Sequence, residues 1–309
     1  MSKHSQLIDD MVLCSSEFQQ AQRRNIPCVA LESTVIAHGL PYRDNLETAY
    51  KCEEVIRSEG VVPVTFGIWE GRIIAGMSTQ QMEFFARHPE KVEKVNLQNL
   101  SYIIARKLYG ATTVAATVYL ANKMGISLMA TGGIGGVHYQ VERLMDISAD
   151  LGALATNPVA VVSSGVKCIL DIPKTLEVLE TIGVPVVGYR TGYFPLFYSN
   201  EPLYQLEQTF SQTVDIGNFL RYHFRVFPDR GVLLANPVSS KVSLNYQVLK
   251  KKIQELLKKA EKKEIKGKKV TPFLLDGLAR STENKTLAMN KDLLIDNARL
   301  AAKIAKEYQ

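Results

Sequence analysis

The chain has 309 residues, 46% hydrophobic and 22% charged, the balance of a soluble globular protein with room for one large α/β domain or two smaller ones. Its net charge of +6 is local: Leu249 to Lys269 holds ten lysines against three glutamates, so the remainder sums to −1 and nucleic acid is not an expected partner. No apolar run approaches the roughly 20 residues that span a bilayer, and Met1 to Asp10 lacks the apolar core of a signal peptide, so a membrane is not expected either.

Residues 5 to 24 place Leu7, Met11, Val12, Phe18 and Ala21 on one side of an amphipathic helix, expected as an N-terminal extension (1–24) to a single domain (25–309). Pro27 to Leu31 reads as a strand stopping at Glu32-Ser33-Thr34, and Asn45 as the cap of a helix to Ser58. Val61 to Trp69 and Arg72 to Met77 form a hairpin through Glu70-Gly71, and Ser78 opens a helix to Arg87. Helices are expected over 97–108 and from Gly110-Ala111-Thr112-Thr113 to Lys123, then a strand over Ile126 to Ala130. A helical turn ends near Asn157, followed by a strand Val159 to Val162, a helix Ile172 to Thr181 and a strand Val184 to Gly188. A Tyr- and Phe-rich loop runs from Tyr189 to Tyr204, with a helix near Asp215 to His223, a strand Gly231 to Ala235 and helices from Tyr246 onward. Leu249, Ile253, Leu256, Leu257 and Ala260 recur at helical spacing, a buried stripe under a solvated lysine face. Strands alternating with helices predict an α/β/α layered domain with a largely parallel sheet.

Cysteines at 14, 28, 52 and 168 show no C-x-x-C spacing. Zinc and redox pairs are therefore unsupported, and a reducing compartment, the cytoplasm, is expected.

The chemistry gathers after the apolar runs. Thr131-Gly132-Gly133-Ile134-Gly135-Gly136-Val137-His138 follows one of them, and glycines let backbone approach a ligand closely. The dinucleotide fingerprint fails because His138 stands three residues after Gly135, and no Gly-Lys-Ser or Gly-Lys-Thr exists for a phosphate-loop NTPase. Glu32 ends the first of these strands, where a carboxylate is a candidate acid or base or, equally, a cap or ion-pair partner. Lys167, between Ser163-Ser164-Gly165-Val166 and Ile169-Leu170, is a candidate amine nucleophile or a lysine reaching for solvent. Asp146, Ser148 and Asp150 suit a hard cation and sugar hydroxyls, or alternatively a helix cap. His38 and His138 are lone loop histidines, weak metal ligands singly.

The segments Val29 to Pro41, Gly110 to Ala115, Ala130 to His138, Asp146 to Leu151, Gly165 to Pro173, Gly183 to Tyr189, Leu234 to Pro237, Gly267 to Leu275 and Asn297-Ala298 together resemble the pseudouridine-5′-phosphate glycosidases. The resemblance runs in order from about residue 25 to the end and implies reversible cleavage of pseudouridine 5′-phosphate to uracil and ribose 5-phosphate. It implies a divalent metal, typically manganese, and a homotrimer. It makes Glu32 the proton donor, Lys167 the covalent nucleophile and Asp146 the metal ligand. Lys94, Val114, Ser148, Ala149, Asp150 and, less directly, Asn290 match substrate-contacting positions. Three stretches depart from the family: Asn96 to Leu100 and Tyr139 replace basic residues, and Ser163-Ser164-Gly165-Val166 replaces Cys-Ala-Gly-Ala. The first two bear on affinity rather than on reaction type. Two alternatives stand beside this reading: a glycosidase for another phosphorylated C-nucleoside, and a non-catalytic phosphosugar-binding protein.

Overall fold

Parallel strands covered on both faces are written as unbroken apolar runs, and the centre of this chain is built that way. The computed structural model describes residues 11–139, 141–239, 243–265 and 270–309. Residues 5–10 of the expected first helix and Gly267 to Lys269 lie outside them. The strands are β1 (Val12–Cys14), β2 (Cys28–Leu31), β3 (Val62–Trp69), β4 (Arg72–Ala75), β5 (Val92–Val95), β6 (Tyr109–Thr112), β7 (Leu128–Ala130), β8 (Ala160–Ser163), β9 (Val186–Tyr189), β10 (Gln208–Phe210) and β11 (Val232–Ala235). Their order is β1-β4-β3-β2-β7-β8-β11-β9-β10, with β6 beside β3 and β5 beside β6. Every pairing is parallel except β3 with β4 and β3 with β6.

Strand β3 serves two sheets. Its first half, Val62 to Thr65, pairs with β2 in the large parallel sheet, while Phe66 to Trp69 pairs with β4 and Gly67-Ile68 with β6. The long helix Lys285–Tyr308 lies on β2, β7 and β8 and packs against helices Asp44–Ser58 and Thr213–Val226. Ala298, Ala301 and Ala302 on this helix are fully buried, small enough to let it settle close to the sheet. Helix Val114–Lys123 covers β2, β6 and β7 and packs on helix Ala149–Thr156. The result is the expected mostly parallel sheet flanked by helices.

Several elements differ from their sequence reading. The first helix begins at Ser16, capped by the Ser15 hydroxyl, and Val12 to Cys14 is a strand docked on β4 rather than a helical turn. Asn45 is not a cap: it lies in the first turn of its helix, buried, and its Nδ2 donates to Ile36 O at 2.6 Å. Strand β6 occupies a segment read as a helix entry, and β5 and β10 were not expected. The lysine-rich helix Tyr246–Lys262 does bury Leu249, Ile253, Leu256 and Ala260, against helix Val270–Ser281, and leaves Lys251, Lys258 and Lys259 exposed.

Candidate active site

In a parallel sheet the C-terminal strand ends share one rim. Here β2 delivers Glu32, β7 Thr131 and β8 the Ser164-to-Lys167 turn, while Lys94 comes from β5, which reaches the site through β6 and the antiparallel β3–β6 pairing. Around that rim is a cavity of about 350 Å³ lined by Glu32, Lys94, Val114, Asp146, Ser148, Ala149, Asp150, Lys167 and Asn290. The structure thus brings all the sequence-derived candidates to one place. Their environments separate them.

Glu32 is 8% exposed, and both its carboxylate oxygens are engaged. Thr131 Oγ1 donates to Oε1 and Thr34 Oγ1 donates to Oε2. Beneath it Ser33 Oγ accepts from Thr112 N at 2.9 Å, and Thr112 Oγ1 accepts from Thr117 at 2.9 Å. Fixed hydroxyl donors keep the carboxylate in one orientation, so it can give or take a proton without first reorganising. The sequence reading missed Thr34 and Thr131; hydroxyl residues at strand ends were the available signal.

Lys167 follows a turn that only glycine can make. Gly165 has φ of +84°, and a Cβ there would meet the Pro195 carbonyl and the Phe194 ring. Val166 then bridges to Ile134, and Lys167 N donates to Ile134 O at 3.1 Å, docking the lysine onto the glycine loop. The neighbouring Cys168 thiol is buried and pushed up to about 12, which removes it as a competing nucleophile at neutral pH.

Asp146 is exposed at the cavity wall, with His138 Nδ1 3.9 Å from its carboxylate. Burial holds the His138 imidazole below the usual histidine value, against the pull of Asp146 and with help from Lys94 and Lys167. Among the described residues no group of three or more His, Cys, Asp or Glu converges as a complete metal cage. One open carboxylate on a ligand cavity does fit a hard divalent cation that takes its other oxygens from water and substrate. His38 also lines the cavity; its ring bonds to the Val92 backbone, burial lowers its pKa, and Nε2 has no partner.

Asp150 is a brace. Its Oδ1 accepts from Ala115 N at 2.9 Å and its Oδ2 from Gly135 N at 2.7 Å, tying two helix N-termini to the glycine loop. The loop's missing Cβ atoms make room for protein. A Cβ on Gly132 would come within 2.9 Å of Leu293 Cδ1, and one on Gly133 within 2.6 Å of the Phe197 ring. Gly135 and Gly136 are filled in the same way by Ser148 and Thr175. Of the departures from the family pattern, Asn96 and Gln98 line the cavity. Tyr139 is not among the lining residues; it is half-buried beside Tyr246 and Tyr204.

With this geometry in hand, a family model described as indigoidine synthase A like protein matches residues 17–307. The chain belongs to that family. Relatives within it include a pseudouridine-5′-phosphate glycosidase of Geobacillus kaustophilus, 44% identical over 97% of this chain and 99% of that protein. A pseudouridine-metabolizing bifunctional protein of Schizosaccharomyces pombe is 44% identical over 95% of this chain and 40% of its own length. Among solved structures, an indigoidine synthase A-like protein of Thermotoga maritima superposes with a TM-score of 0.86 at 32% identity, covering 96% of this chain and 95% of that one. The prealnumycin C-glycosynthase AlnA in complex with ribulose 5-phosphate gives 0.88 at 32% identity, covering 96% and 97%. The indigoidine synthase A-like chain described here has no helix among its described residues long and apolar enough to cross a membrane.

Proposed function

We propose that the protein cleaves the carbon–carbon glycosidic bond of pseudouridine 5′-phosphate, reversibly, to uracil and ribose 5-phosphate. The observation that carries the reading is the meeting of Glu32 and Lys167 on one cavity, in a chain whose relatives across nearly their full length are glycosidases for that nucleotide. A neighbour solved with ribulose 5-phosphate supports a phosphosugar ligand in this fold.

A carbon-linked base cannot leave by protonation of a glycosidic nitrogen, so C1′ needs a donor whose lone pair stabilises it as the bond's electrons leave with the base. The C1′–O4′ bond breaks as O4′ takes a proton, opening the ribose, and the Lys167 amine forms a C–N bond to C1′ as it loses a proton. The C1′–C5 bond then breaks, its electron pair going to the uracil ring, which takes a proton at C5, and C1′ remains as an imine. Water hydrolyses the imine, releasing ribose 5-phosphate and restoring the amine. Glu32, held by Thr34 and Thr131, moves the protons of ring opening and base departure. Lys94 and the backbone amides of the rim offset phosphate charge. Asp146 would hold a divalent metal, manganese by family resemblance, which supplies charge neutralisation for the anionic substrate. Val114, Ser148, Ala149 and Asn290 complete the substrate wall, with Asp150 setting their positions. The enzyme is proposed to work as a cytoplasmic homotrimer; the scattered spacing of its four cysteines suits a reducing compartment.

Incubation with ribose 5-phosphate and borohydride, followed by peptide mass mapping, tests the central step. A reduced sugar adduct at Lys167 is expected. An unmodified chain would overturn the imine and leave phosphosugar binding alone.

A further inference from the structure

The long helix carries one side chain that touches three strand ends at once. Asn297 is 0% exposed. Its Nδ2 donates to Thr131 O at 2.8 Å, beyond β7, and to Ser164 Oγ at 3.2 Å, beyond β8. Its Oδ1 accepts from Asn236 Nδ2 at 2.9 Å, beyond β11. Two of the three partners lead directly to the chemistry. Thr131 is the residue whose hydroxyl donates to Glu32. Ser164 opens the Gly165 turn that ends at Lys167, and Ser164 N donates to Gly132 O at 2.9 Å, so the two arms are also tied to each other.

We infer that Asn297 is the positioning residue of the active site: it sets Glu32, through Thr131, and Lys167, through Ser164, in register across the cavity. It does not line the cavity, so its effect must travel through these two contacts. An amide suits the task. It offers two donors and an acceptor in one plane, all three are used, and no other side chain of this size presents that set. Apart from Asn297, no side chain of the long helix is hydrogen-bonded to either arm among the described residues. The inference rests on the roles proposed above for Glu32 and Lys167.

A residue that positions two reacting groups without touching substrate should change kcat and leave KM. Asn297→Ala is expected to lower kcat by about 100-fold, the scale of a misplacement near 1 Å, with KM for pseudouridine 5′-phosphate within about threefold. Borohydride trapping of ribose 5-phosphate should slow in parallel. The Thr131→Val change removes the hydroxyl that holds Glu32, and in that background Asn297→Ala should cost less than it does alone, because the part of its effect that travels through Thr131 is already lost while the Ser164 arm remains. Losses that multiply in the double variant, or a kcat unchanged in Asn297→Ala, would overturn the inference. If Asn297→Ala does not fold, Asn236→Ala frees the Oδ1 side of the same amide from outside the cavity. There kcat falls with KM held, or the inference fails. Wild-type trapping separates the two levels. No adduct on the wild-type chain sinks the imine reading and this inference with it, whereas an adduct formed at wild-type rate by the variant sinks only the inference.

Discussion

Asp150 and Asp146 are four residues apart and have opposite jobs. Asp150 is buried and gives both oxygens to backbone amides, so Asp150→Ala leaves Ala115 N and Gly135 N without partners. Urea denaturation should register a loss of about 2–4 kcal/mol. Asp146 is exposed and makes no such bond; Asp146→Ala should keep its urea midpoint within about 0.5 kcal/mol of wild type while abolishing any activation of turnover by manganese after chelation. Lys167→Ala is expected to fold and to lose turnover by about 10³-fold or more, whereas Cys168→Ala, which removes only a buried neutral thiol, retains the borohydride adduct. Glu32 and Lys167 were legible because each follows an apolar strand, and the sheet rule places such residues on one rim; the 146–150 segment runs from one helix into the next and was legible from its two aspartates and serine. What they bond to was not. The Thr131–Glu32 contact joins residues 99 apart and the Asp150–Ala115 contact residues 35 apart. Spacing along the chain carries no trace of either. The glycine loop misled in a specific way: a missing Cβ signals close approach, but the sequence does not say whether ligand or protein approaches.

Among the elements, the long helix and the helix Thr213–Val226 cross at Gly217, where a Cβ would stand 2.7 Å from the Glu307 carbonyl. The obstacle is backbone, which cannot turn aside as a side chain can, so Gly217→Ala should destabilise by about 1–3 kcal/mol. Thermal unfolding of the variant should show this without any change in the cavity. Long apolar strands and capped helices were readable from periodicity, as with Ser78, whose capping box with Gln81 is complete. Strands β5, β6 and β10 were not, because their state comes from their neighbours. Val92-Glu93-Lys94-Val95 and Tyr109-Gly110-Ala111-Thr112 become strands by pairing with each other, and β6 also with β3. Gln208 to Phe210 is a half-exposed edge paired only with β9.

For the molecule as a whole, acid is the predictable threat. Burial lowers the imidazoles of His38, His138 and His223 from the ordinary value of 6.5. The unfolded chain then takes up protons below about pH 6.5 that the folded chain refuses, so stability is present above that pH and falls as pH drops through it. The melting temperature should decline between pH 7 and pH 5.5. His223 lies outside the cavity, its Nε2 within 3.1 Å of Arg230 O. A His223→Gln variant should therefore show a shallower decline with its catalytic residues untouched, as differential scanning fluorimetry across that range would read.

The long helix has one more consequence, which concerns the order in which the chain is made. Glu32, Lys94 and Lys167 leave the ribosome well before Asn290, Leu294 and Asn297, yet Asn290 and Leu294 line the cavity and Asn297 saturates the ends of β7, β8 and β11. A nascent chain stalled before residue 285 would hold the reactive groups on strand ends whose polar atoms lack their native partners. The Lys167 turn therefore gains its fixed setting only when this helix docks, after the residues that form the rest of the cavity have been made.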